Sequence, residues 1–139
     1  MFYYENIITR SLDINKLWDL YSNVHDWSQW DKALKEVELK GAFQTGTEGI
    51  LFPNDMPPLP FQLDAVKKHV SFTVVSCFGS IKVHFGHEII HRGKEEYSLK
   101  HSVTMEGAPE EQLNQIGQEI TSGIPQSMET LIALAKIES

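Results

Sequence analysis

Four histidines, His84, His87, His91 and His101, stand close together in the chain, and imidazole is the side chain that ligates metals and moves protons near neutral pH. A zinc site needs three or four such donors converging on one point. The residues around these histidines alternate between polar and apolar, the period of a β-strand, so successive side chains leave on opposite faces. His84 is thereby set against His87 and His91. With Cys77 the sole cysteine and no HxxxH motif on a helix, the pattern predicts no metal site and no cofactor.

Alternation makes a pair instead. Ile81, Val83, Phe85, His87 and Ile89 share one face of a strand, and Tyr97, Leu99, His101, Val103 and Met105 share one face of the next. Both faces are apolar and must look inward. If the hairpin turns within Arg92 to Glu96 so that His91 meets Tyr97, Ile89 meets Leu99 and His87 meets His101. Burial there would disfavour the imidazolium form. Two roles are open: core histidines satisfied by backbone, by hydroxyls or by each other, or groups that orient a ligand or transfer its proton. Asp64, Glu48 and Tyr97 are isolated titratable residues on strands, and no catalytic triad order, paired carboxylates or phosphate-cradling glycine loop is present.

The elements that hold this pair follow from local pattern. Residues 2–12 read as a strand rich in aromatic and β-branched types, and Asp13 stands as the N-cap of a helix that buries Ile14, Leu17, Trp18 and Tyr21 on one face. A short second helix carries Trp27 and Trp30, which either lock it onto the sheet or stack on a ligand. Strands are predicted over 34–40, 47–52, 61–66, 71–78, 81–91 and 95–105, with short antiparallel links. The four prolines within 53–60 predict a loop that holds Met56 and Leu59 outside any strand and forms a mobile lip. From Leu113 the period becomes helical, and Ile116, Ile120, Ile124, Met128 and Leu131 continue one stripe along a long helix bent near Gly123 to Pro125.

Helices gathered at the two ends of a run of strands indicate an α+β fold: a curved antiparallel sheet of six to seven strands wrapped around a long C-terminal helix, with two short helices after the first strand. One helix covers such a sheet without filling it, so a cavity is expected. At 139 residues the chain is read as a single domain, 1–139. A net charge of -7, with only Arg10 and Arg92 as arginines, argues against nucleic acid. The lone cysteine and the absence of a signal-peptide pattern suggest the cytosol, and no apolar run is long enough for membrane insertion. Oligomeric state is left open by the sequence.

Several segments together resemble the SRPBCC superfamily of START-like, helix-grip proteins: Leu17-Trp18-Asp19-Leu20-Tyr21, the stretch Trp27 to Asp31, Gly41-Ala42-Phe43 followed by Gly46-Thr47, His101 to Gly107, and Ile124-Pro125. The resemblance runs nearly end to end and implies a ligand cavity, in the branch that includes polyketide cyclases and dehydratases as well as lipid-transport proteins. It transfers no catalytic residue. The expected function is binding of a small apolar ligand by Val83, Phe85, His87, Ile89, Tyr97, Leu99, His101, Val103, Ile116, Ile120, Ile124 and Met128, and the alternative is a cyclase or dehydratase using acid-base groups of the cavity.

Overall fold

Asp13 begins the first helix as its type predicts. Its carboxylate accepts the backbone N–H groups of Asn15 at 3.0 Å and Lys16 at 3.2 Å, two donors that no helical carbonyl can reach. In the computed structural model, which describes residues 1–138, strand β1 (Phe2–Ser11) leads into α1 (Ile14–Ser22), a 3-10 turn (Val24–Asp26) and α2 (Trp27–Trp30). Six strands follow: β2 (Leu34–Leu39), β3 (Glu48–Pro53), β4 (Leu59–Lys67), β5 (Ser71–Phe78), β6 (Ile81–His91) and β7 (Glu96–Glu106). The chain then forms α3 (Glu110–Thr121) and α4 (Ile124–Leu134).

All seven strands form one antiparallel sheet in the order β1-β7-β6-β5-β4-β3-β2. Hairpins build it from β2 to β7, and β1 closes onto β7. The expected α+β architecture is therefore the observed one, at the upper end of its strand count.

One boundary differs from expectation, and the C-terminal stripe differs only in its helix count. Leu59 and Pro60 lie inside β4, opposite Leu51 and Ile50, so the loop shrinks to the residues between Pro53 and Leu59. Pro60 is tolerated because pairing of β4 with β5 begins only at Phe61, and at the strand's first residues the missing N–H removes no bond on that side. The C-terminal stripe is two helices. The bend expected near Gly123 to Pro125 is there, as the joint at Ser122-Gly123, and Pro125 stands in the first turn of α4, where its absent N–H costs nothing.

The inner face of the sheet carries two apolar clusters. The larger gathers Trp18, Tyr21, Trp27, Trp30, Phe61, Leu63, Phe72, Leu99, Met128 and Leu131 beneath α1, α2 and α4. The smaller holds Ile81, Val83, Val103, Met105 and Leu113 beneath α3. Phe85 and Ile124 pack against both. Gly117 lets α3 sit down on β1, since a Cβ there would come within 2.5 Å of the Phe2 ring.

Candidate functional site

The register fixes the site. Pairing of Ile89 with Leu99, His91 with Tyr97 and His87 with His101 is as the alternation requires. The two imidazoles lie edge to face with ring centroids 4.6 Å apart. On one side His87 is opposite Phe72 of β5, and on the other His101 is opposite Asn6 of β1. A single row, Phe72, His87, His101 and Asn6, thus crosses four adjacent strands on the inner face.

Each member is held by a distinct contact. The His87 ring stacks on Phe72, with centroids 4.0 Å apart and an interplanar angle of 6°, and its Nδ1 lies 3.2 Å from the Phe72 carbonyl oxygen. A carbonyl only accepts, so Nδ1 carries the proton. His101 Nε2 lies 2.7 Å from the Tyr21 hydroxyl, which α1 hangs over the row. Asn6 directs its Nδ2 at the Met128 sulfur, 3.3 Å away. Trp27 stacks on Phe72 at 5.7 Å and donates its indole N–H to the Tyr21 carbonyl at 2.9 Å, so this tryptophan fastens α2 and α1 to the sheet.

Electrostatics follow from burial. His87 keeps part of its surface open, yet its ring is walled by Phe72, Tyr21 and His101, and burial pushes its pKa down to about 4 against the smaller opposing effect of its carbonyl bonds. His101 is held well below the ordinary imidazole range, first by burial and then by the neighbouring His87. Burial raises the Tyr21 phenol far above its usual value. All three groups are neutral at physiological pH. Burial also raises the Asp31 carboxyl, opposed by a hydrogen bond from the Ala33 N–H.

Of the other residues expected at the site, Val83, Leu99, Val103 and Met128 are fully enclosed and Ile89 nearly so. Phe85, Ile116, Ile120 and Ile124 are half-buried, and Tyr97 stands at the sheet's end with its ring on His91, 4.9 Å away. His84 lies on the outer face, as alternation requires, in a polar depression of about 250 Å³ shared with Thr73, Gly86, Glu88, Lys100 and Ser102. Asp64 and Glu48 are exposed. Among the described residues no group of three or more histidine, cysteine, aspartate or glutamate side chains is placed to hold a metal.

Sequence reasoning missed Tyr21, Asn6 and Phe72. A signal existed for two of them. Asn6 is the one amide among the inward residues Phe2, Tyr4 and Ile8, and Tyr21 carries the one hydroxyl in the stripe of Ile14, Leu17 and Trp18.

No protein-family model matches the sequence, and no curated protein matches it. Solved structures do. A hypothetical protein from Helicobacter pylori superposes with a TM-score of 0.79 at 11% identity, over 97% of this chain and 88% of its own. A START superfamily protein from Mycobacterium smegmatis gives 0.73 at 10% identity, over 94% and 97%. This is the START-like helix-grip fold. Norcoclaurine synthase from Thalictrum flavum, in complex with dopamine and hydroxybenzaldehyde, shares it with a TM-score of 0.69 at 15% identity, over 94% of this chain and 83% of the synthase. As in the sequence reading, no helix among the described residues is long and apolar enough to cross a membrane.

Proposed function

We propose that this START-like chain binds a small hydrophobic ligand, a lipid, polyketide or similar molecule, between its sheet and its C-terminal helices, and does so as one domain in the cytosol. The observation that carries this reading is Phe85. It faces inward at the middle of β6, and its neighbours in register, Val74 and Val103, are both buried. Phe85 itself, with His87 beside it and Ile124 above, remains half-buried. A side chain so placed keeps accessible surface only where the covering helices leave space. The occupant is small, because Tyr21, Trp27, Phe43 and Phe72 already fill the adjoining end of the fold.

Phe85, His87, Ile116, Ile120 and Ile124 meet the ligand first in this reading. Val83, Ile89, Leu99, His101, Val103 and Met128 form the wall behind, and Tyr97 the rim. The synthase of this fold that holds two small aromatic molecules supports a ligand of that size. Net charge of -7 places nucleic acid outside the reading. Cyclase or dehydratase chemistry is the second reading, favoured by the two neutral imidazoles and the phenol.

Titration of the folded protein with anilinonaphthalene sulfonate tests it. Fluorescence should rise with saturation, and Ile124→Arg should abolish the rise without unfolding the chain. A native protein that leaves the dye dark, or a variant that binds it equally well, overturns the proposal.

A further inference from the structure

The hydrogen-bond pattern around the histidine pair is unfinished, and what is missing has a definite chemical shape. Tyr21 is neutral and buried, and the only polar partner of its hydroxyl among the described residues is His101 Nε2. If the imidazole donated, the phenolic proton would be enclosed with nothing to accept it, a buried donor left unsatisfied. The phenol therefore donates to Nε2, and His101 carries its own proton on Nδ1. That N–H makes no hydrogen bond among the described residues.

His87 is the complement. Its Nδ1 proton is committed to the Phe72 carbonyl, so its Nε2 presents a lone pair, again without a partner among the described residues. One free donor and one free acceptor thus sit on rings whose centroids are 4.6 Å apart. Next to them Trp30, its ring 5.9 Å from that of His101, has a buried indole N–H with no acceptor among the described residues. Buried polar groups in folded proteins are nearly always paired, so the buried, unpartnered Trp30 N–H beside the two free imidazole nitrogens points to an absent partner.

We propose that the His87–His101 pair is the polar end of the ligand site, and that it selects a small aromatic molecule bearing a hydroxyl group, phenolic or enolic. Such a group both accepts and donates. Its oxygen takes the His101 Nδ1 proton in a hydrogen bond, and its own proton points to His87 Nε2. An ether or ketone could satisfy only the first, and a plain hydrocarbon neither. The ring of the ligand would lie against Phe85 and Ile124, both half-buried where the two apolar clusters meet. This rests on the binding function proposed above and adds the identity of the polar group.

Paired probes of nearly equal shape, p-cresol and p-xylene, separate the two claims in calorimetric or NMR titrations. In a purely apolar pocket the xylene binds more tightly, because burying an unpaired hydroxyl is costly. Here p-cresol should bind more tightly by about tenfold. In His87→Phe, which keeps a flat ring to stack on Phe72, the preference should invert. Binding of both probes with xylene preferred by the wild type overturns the inference and leaves the apolar site standing. Binding of neither overturns both. Long-range proton–nitrogen NMR of the wild-type imidazoles gives a check that no variant can confound: both rings should carry their proton on Nδ1, with His87 Nε2 and His101 Nδ1 shifting on p-cresol addition. A proton on His87 Nε2 overturns the inference.

Discussion

The Tyr21–His101 bond is the point at which one atom decides the most. Tyr21→Phe keeps the ring that meets Phe72 and Trp30 edge-on and removes only the hydroxyl, leaving His101 Nε2 enclosed and unpaired. Urea denaturation should show a loss of about 1–3 kcal/mol, and a variant as stable as the wild type would mean that water replaces the phenol. The same burial makes stability depend on pH. The folded pKa of His87 is about 4 against a reference of 6.5, so the unfolded chain takes up the proton first as pH falls. Stability from this group is complete above the unfolded value and is lost on descending toward the folded one, by about 3 kcal/mol. His101 acts in the same direction, whereas the raised Asp31 carboxyl opposes it by accepting its proton more readily when folded. Urea midpoints measured from about pH 7 down to about pH 4.5 should fall more steeply for wild type than for His87→Phe. Strand period and hairpin register make the pair legible in the sequence. Its third member is not, because Tyr21 reaches the pair from a helix eighty residues earlier in the chain, and no local pattern encodes that approach.

The joints between elements were less legible than the elements. Strands and helices announce themselves by period, but a joint depends on what another segment does at the same place. In β4 the register shifts between Asp64 and Lys67, with Ala65 at φ 49°, and no glycine marks the bulge in the sequence. The break between α3 and α4 was visible as Gly123 and Pro125, though not as a complete stop. Two glycines with positive φ show how a joint differs from a turn. Gly79, at φ 61°, lies in the link between β5 and β6 with open space where a Cβ would stand. Gly107, at φ 103°, ends β7 where a Cβ would strike the Ser80 carbonyl oxygen, and its own carbonyl accepts the Ser80 hydroxyl at 2.7 Å. Gly79→Ala should therefore cost only the conformational penalty, about 1 kcal/mol, whereas Gly107→Ala must also push two backbone segments apart and should cost about 3 kcal/mol or more. Equal urea midpoints for the two variants would show that the β7–α3 joint yields freely.

At the scale of the whole molecule, the segregation of helices from strands carried the fold class, and the inward residues of β6 and β7 were correctly placed on one wall. How much room that wall encloses was not legible, because it depends on side chains that α1 and α2 insert from outside the stripe. Trp18, Tyr21 and Trp27 occupy one end, and Phe85, where the proposed ligand would sit, lies at the junction of the two apolar clusters. This division predicts where a bound molecule slows backbone exchange. A ligand at the junction stiffens the strand beneath it and the helix break above it, and has no contact with the distant edge of the sheet. Hydrogen exchange with and without saturating anilinonaphthalene sulfonate should show added protection in β6 around Phe85 and His87 and across Thr121 to Met128, with β2 and β3 unchanged. The dye is an anion and the chain carries a net charge of -7, so salt should strengthen this binding by screening the repulsion. Protection confined to the outer-face depression around Gly86, or spread evenly over the sheet, would mean that the dye reports on a surface and that the junction of the two clusters is closed.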